Sequence, residues 1–147
     1  MALVLVLHLP PDQQSNADRV LQGSTRLAVG MAVIDLAGAV LLCNAEYRRF
    51  VPHGRLASRD SGVLARWRAF DIRGRLLQAD AFPGARALRG ETVLPGQEML
   101  YQDDAGTQIW TRVASVPMFD PAGAVTGVVS MIYDIDHAKR SAQAPSS

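Results

Sequence analysis

The sequence predicts an α+β fold with a β-hairpin at the front, short helices in the middle and an antiparallel meander at the rear. Three observations predict it. The stretch Met31-Ala-Val-Ile-Asp-Leu-Ala-Gly-Ala-Val-Leu-Leu-Cys-Asn-Ala-Glu46 reads as strand, tight turn, strand and helix. In the last third, three apolar runs are separated by Asp104-Ala-Gly106 and Asp120-Pro-Ala-Gly123. Both separators are turn sequences: Pro fixes φ, Asp accepts local hydrogen bonds and Gly takes positive φ. Between front and rear, the helical stretches are short and bounded by Pro and Gly.

Taken in order, residues 12–29 read as a helix, with Ala17, Val20, Leu21 and Leu27 roughly on one face and Gly30 as its stop. The apolar stripe is short, which suits packing against the sheet or a second copy more than stability alone. Val33 and Ile34 lead into Asp35-Leu-Ala-Gly38, a turn with Asp first and Gly fourth. Residues 39–43 return as an apolar strand. Asn44 then caps a helix over residues 45–50, because its side-chain oxygen accepts from an otherwise unpaired backbone N–H.

Past the loop Val51-Pro-His-Gly54, the chain is irregular to Gly62, and residues 64–70 alternate loosely. Asp71-Ile-Arg-Gly74 is a turn, and residues 75–78 return as a short strand. In residues 80–90, Pro83 suits the first turn of a helix and Gly90 its end. Residues 92–101, 108–118 and 124–135 are the three runs of the meander. The last is the most apolar and is predicted to be central. Pro117 falls near a strand end, where a missing donor is tolerated. Asp136 is placed to cap a helix beginning at His137, which the tail at 144–147 breaks.

A chain of 147 residues is most simply one domain with flanking pieces, long enough to bury a core without staples. With 48% hydrophobic and 20% charged residues, the composition is globular. A net charge of +1 argues against general nucleic-acid binding, which needs a large basic excess. The single cysteine, Cys43, excludes an internal disulfide and a multi-cysteine metal site, and reads as a small core residue. No apolar run reaches the roughly 18 residues that span a bilayer. Residues 1–10 are apolar but lack a basic n-region and a cleavage site, so they read as a strand-like arm and not a signal peptide. A cytoplasmic location is expected. Lys139 is the only lysine, and ten arginines lie between Arg48 and Arg89 against three acids, Asp60, Asp71 and Asp80. They suit an anionic ligand or acidic partner; the favoured reading is solvation or pairing with Glu91, Glu98, Asp103 and Asp104.

The order β-β-α, irregular helical middle, short helix and meander resembles a PAS domain. The residues that carry the resemblance are Asp35-Leu-Ala-Gly38 with Asn44-Ala45, Arg86-Ala-Leu-Arg-Gly-Glu91, Asp120-Pro-Ala-Gly123 with Val125-Thr-Gly127, and Asp134-Ile135. The last pair is similar to the start of the family's Asp-Ile-Thr exit motif, whose third residue is Asp136 here. The resemblance covers residues 24–137, leaving 1–23 as an N-terminal arm and helix and 138–147 as a linker. It implies a five-stranded antiparallel sheet with short helices on one face and a cavity between them. It also implies a sensory or interaction module, a homodimer through the N-terminal helix, and an output domain in cis or in trans, such as a histidine kinase, a cyclic-dinucleotide enzyme or a DNA-binding domain. None of these outputs is in the sequence, so a piece of a longer sensor or a stand-alone partner is expected, the first being favoured.

Other chemistry is tested against the residues. A flavin photosensor of this family carries Asn-Cys-Arg-Phe-Leu-Gln; Cys43-Asn44 has two of the letters reversed and misplaced. Haem in the family takes a histidine from the helix before the third strand, and residues 82–89 have none. No flavin or haem is therefore predicted. His8, His53 and His137 lack metal-ligand spacing, and no hydrolase elbow, Walker loop or dinucleotide turn occurs. The remaining candidate is a small-molecule cavity walled by Phe50, Trp67, Phe70, Leu88, Trp110, Met118 and Met131, residue types that suit a filled core equally well. Arg86 is the candidate anion-binding group, and Asp134 and Asp136 form the signal exit. The leading expectation is a sensor without catalysis of its own. The alternative is an interaction module with a filled core; a small enzyme of cone-shaped α+β type is the third reading.

Overall fold

Four Asp-x-x-Gly turns organise the chain. Asp35, Asp71, Asp103 and Asp120 each place Oδ1 2.8–2.9 Å from the backbone N–H groups two and four residues on. Gly38, Gly74, Gly106 and Gly123 each take the required positive φ, between 78° and 88°. The third turn thus starts at Asp103, one residue earlier than the sequence suggests.

The computed structural model describes residues 29–143, so the predicted helix over 12–28 and the arm before it lie outside the described residues. Val29, predicted as the helix end, belongs to the first strand. Six strands form one antiparallel sheet: β1 (Val29–Asp35), β2 (Val40–Cys43), β3 (Trp67–Ala69), β4 (Val93–Gln102), β5 (Gln108–Phe119) and β6 (Val125–Asp134), ordered β2-β1-β6-β5-β4-β3. The front hairpin joins the rear meander through β1 and β6, in register from Val29↔Tyr133 to Asp35↔Gly127. The last strand is central, as its apolar content predicts. Beyond the five strands expected, β3 adds an edge of three residues, with Trp67 and Ala69 buried and Arg68 exposed. Residues 75–78 form no strand and contribute only the bridge between Phe70 and Leu76.

Helices α1 (Ala45–Phe50), α2 (Ser61–Leu64) and α3 (Pro83–Leu88), with 3-10 turns at Ala57–Arg59 and Ala79–Ala81, belong to the roof over one sheet face. Asn44 caps α1 as predicted, accepting from Tyr47 N at 3.0 Å. Pro83 opens α3, as expected. The core lies between this roof and Ala32, Ile34, Met99, Val113, Val128 and Ile132. The final helix, α4 (Asp136–Gln143), starts one residue earlier than predicted. It returns to the opposite sheet face, where Lys139 Nζ lies 4.6 Å from the Trp110 ring centroid. Among the described residues, no helix is long and apolar enough to cross a membrane.

Candidate functional site

The two-residue period of β4, β5 and β6 decides which side chains reach the interior. Met99, Thr111, Val113, Ser115, Ser130 and Ile132 face the roof and are buried. The register pairs Val113 with Ile132 and Ser115 with Ser130, so these side chains meet on one face. Where the sheet meets α1 and the Ala57–Arg59 turn, they leave a cavity of about 30 Å³ bounded by Tyr47, Leu56, Ser58, Trp67, Gly84 and Ser130. That is room for about two water molecules. Behind it, Phe50, Trp67 and Tyr101 form an aromatic cluster with ring centroids 4.9–6.1 Å apart.

The cavity is polar at particular points. Burial pushes the Tyr47 phenol well above its ordinary range, with a hydrogen bond to Ser130 acting in the opposite sense, so it is neutral at physiological pH. Trp67 and Ser58, which line it, each bury a polar atom, Nε1 and Oγ, with no hydrogen-bond partner among the described residues. A buried donor without a partner costs about 1–3 kcal/mol.

A second feature lies outside the first. An open groove of about 390 Å³ runs between the Ala57–Arg59 turn and α3, with Arg59, Asp80, Leu88 and Arg89 on its sides. Ser58 belongs to both groove and cavity. The two walls touch at the cavity, where a Cβ on Gly84 would come within 2.6 Å of Leu56 Cδ1.

Of the predicted pocket residues, Trp67 lines the cavity, Phe50 packs behind it in the core, and Leu88 lines the groove. The other placements are corrections. Trp110, Met118 and Met131 have the opposite strand parity and face away from the roof; Met131 pairs with Ala114 and Met118 with Gly127. Phe70 is 39% exposed at the end of β3. Arg86 donates from Nε to Glu91 Oε2 at 2.7 Å and does not line either space. Tyr47, Ser58 and Ser130 were missed. Tyr47 shares a helical face with Phe50 three residues on, and Ser130 is a lone hydroxyl in an apolar run, so both left a trace in the sequence. Ser58 left none.

The two aspartates predicted for the exit lie where β6 gives way to α4. Asp134 Oδ2 accepts from Arg49 Nη1 at 3.2 Å, and its Oδ1 accepts from Asp136 N at 3.0 Å. Asp136, expected to cap the helix, is its first residue and does something else: Oδ1 accepts from Trp110 N at 2.9 Å and Oδ2 from Arg140 Nε at 2.7 Å. The Arg140 bond first, and the Trp110 N–H second, hold the Asp136 carboxyl below its ordinary value of 3.8. A depressed carboxylate pKa contributes above the unfolded value and is lost as pH falls through the folded one. The Trp110 amide resonance is therefore expected to titrate with a midpoint below 3.8, and Asp136→Asn to abolish that titration. A flat Trp110 amide shift down to acid unfolding would disprove the latch.

No family model and no curated protein sequence matches this chain. Solved structures do. A sensory box histidine kinase/response regulator from Burkholderia thailandensis is 14% identical, with 85% of this chain and 90% of that chain covered and a TM-score of 0.51. A phage VqmA–DPO complex is 15% identical, over 88% of this chain and 57% of that one, at a TM-score of 0.51. The PAS domain of BvgS from Bordetella pertussis is 14% identical, over 89% and 96%, at 0.45. At these identities the likeness is one of fold. The chain folds as a PAS-like domain, with a central last strand and a cavity under a helical roof.

Proposed function

We propose that this chain is a cytoplasmic sensory module of signal transduction, without catalysis of its own, that binds a small molecule at its helical roof and biases an output domain outside this sequence. The observation that carries the reading is the pair of buried, unpartnered atoms at the cavity, Trp67 Nε1 and Ser58 Oγ. A guest that supplies an acceptor to one and a partner to the other removes a standing cost, and so binds one arrangement of the roof better than another, as any ligand-driven shift requires. A connected route to the proposed exit supports it: Trp67 packs on Phe50, and the neighbouring Arg49 bridges to Asp134 at the end of β6. Neither His53, exposed and paired with Asp60 at 2.9 Å, nor Cys43 in β2 lines the cavity, which supports a sensor without haem or a cysteinyl flavin. Native mass spectrometry of the purified chain is expected to show a retained ligand, or a metabolite screen to raise the melting temperature on saturation. Absence of both would refute a ligand-binding sensor.

A second reading, an interaction module with a filled core, is favoured by the cavity's small size and by the sheet face opposite the roof. That face carries Met31, Val116, Met118, Val129 and Met131 half-buried. A homodimer through that face and the N-terminal residues would then be its activity.

A further inference from the structure

We infer that the ligand is a small organic monocarboxylate that lies in the groove over the cavity mouth, held by Arg59 and Arg89 and reaching inward past Ser58; this rests on the sensory reading above. Size argues first. Small-molecule sites enclose about 300–1,000 Å³, so the interior void of about 30 Å³ holds no organic body, whereas the groove of about 390 Å³ does.

Charge argues next. Among the described residues, Arg59 and Arg89 are, with Arg48, Arg55, Arg68, Arg73 and Arg112, not within ion-pair distance of a carboxylate, and of these seven only Arg59 and Arg89 line the groove. Arg89 uses Nη1 to donate to the Asp80 carbonyl at 2.8 Å, which leaves most of its five N–H donors free. The Asp80 carboxylate also lines the groove. Two guanidinium groups against one carboxylate leave a net single positive charge, which a monoanion balances and a dianion exceeds. Arg59 is held in place for this role: its Cγ would lie 2.9 Å from a Cβ on Gly38, so its stem rests on the first turn.

The remaining surface fits an apolar body. Ala79, Ala85 and Leu88 form the groove's apolar part, and a planar guanidinium grips a carboxylate with two parallel bonds while such a body covers the wall. Ser58, which lines both spaces, has a buried Oγ without a partner, and a ligand in the groove is placed to supply one.

The test uses the full chain with benzoate and isovalerate as probes, benzamide and isovaleramide as neutral isosteres, and inorganic phosphate as the second anion, read by calorimetry and melting temperature. One or both acids are expected to bind saturably and their amides at least about tenfold more weakly, with affinity falling as salt rises. Arg59→Gln and Arg89→Gln are each expected to weaken the acid about tenfold and leave the amide unchanged. Because Arg89→Gln also removes the bond to Asp80, the acid–amide comparison on the unaltered chain stands as the variant-free measurement. Equal binding of acid and amide, phosphate binding as tight as the acids, or no binding of either acid would each overturn the monocarboxylate. A neutral ligand retained in native mass spectrometry, with binding indifferent to both arginine variants, would overturn this inference and keep the sensory reading. No ligand of any kind would overturn both.

Discussion

Asn44→Ala is expected to destabilise the domain by about 3 kcal/mol, because one side chain serves three backbone groups. Its Oδ1 accepts from Tyr47 N and from Met31 N, each at 3.0 Å, and its Nδ2 donates to Val29 O at 2.9 Å. The first bond caps α1, worth about 1 kcal/mol. The other two fasten the start of β1 to the end of β2, in a place where Asn44 is 6% exposed and water does not readily replace what is lost. Each stranded group costs about 1–3 kcal/mol, part of which relaxation recovers. Urea denaturation should show the loss in its midpoint, and the melting temperature should fall by roughly 10 °C. Asn44→Asp keeps both acceptor bonds but turns an anion toward the Val29 carbonyl, so it should fall between Asn44→Ala and the unaltered chain. If Asn44→Ala melts with the unaltered chain, the bracket between α1 and β1 is not what holds the front of the sheet.

Asn44 shows why parts of this fold could be read from the chain. A capping residue acts within four positions, so its signal is local and survives in the sequence; the same holds for the Asp-x-x-Gly turns. The central place of β6 was legible because a strand buried on both sides needs apolar residues at both parities. Cavity lining was far less legible. It depends on strand parity, and a shift of one residue sends Met131 and Met118 to the far face while Ser130 takes the interior position. Aromatic and methionine content alone does not fix that parity. Arg86 illustrates a different loss. Ten arginines in one span made any of them a candidate, and only three dimensions show that Arg86 meets Glu91 while Arg59 and Arg89 meet no carboxylate. Asp136 was legible as a residue at the start of the last helix, yet its Trp110 bond spans 26 residues and no local rule announces it.

Gly30 carries the other large expectation. In the sequence it resembles a helix stop, but it lies inside β1, where it pairs with Ile132 and its missing side chain faces the roof. A Cβ there would come within 2.8 Å of Tyr47 Cα and 2.9 Å of Tyr47 N. Both are main-chain atoms of α1, so no side-chain rotation relieves the contact and the helix itself must lift. Lifting it works against the Asn44 bracket, which ties Tyr47 N and Met31 N to the same oxygen. Gly30→Ala is therefore expected to cost about 2–4 kcal/mol, at the upper end of overpacking changes, although it adds only one methyl group. Denaturant titration measures it directly. Tyr47 lines the cavity and Phe50 packs on Trp67, so the intrinsic fluorescence of the folded state should shift as well. Since both substitutions act on one seat, Gly30→Ala combined with Asn44→Ala should cost less than the two separate losses added together. A helix already unfastened has less to lose by being lifted. Full additivity would mean that Gly30 and Asn44 hold α1 independently, and that the close approach of strand and helix is set by the roof above it.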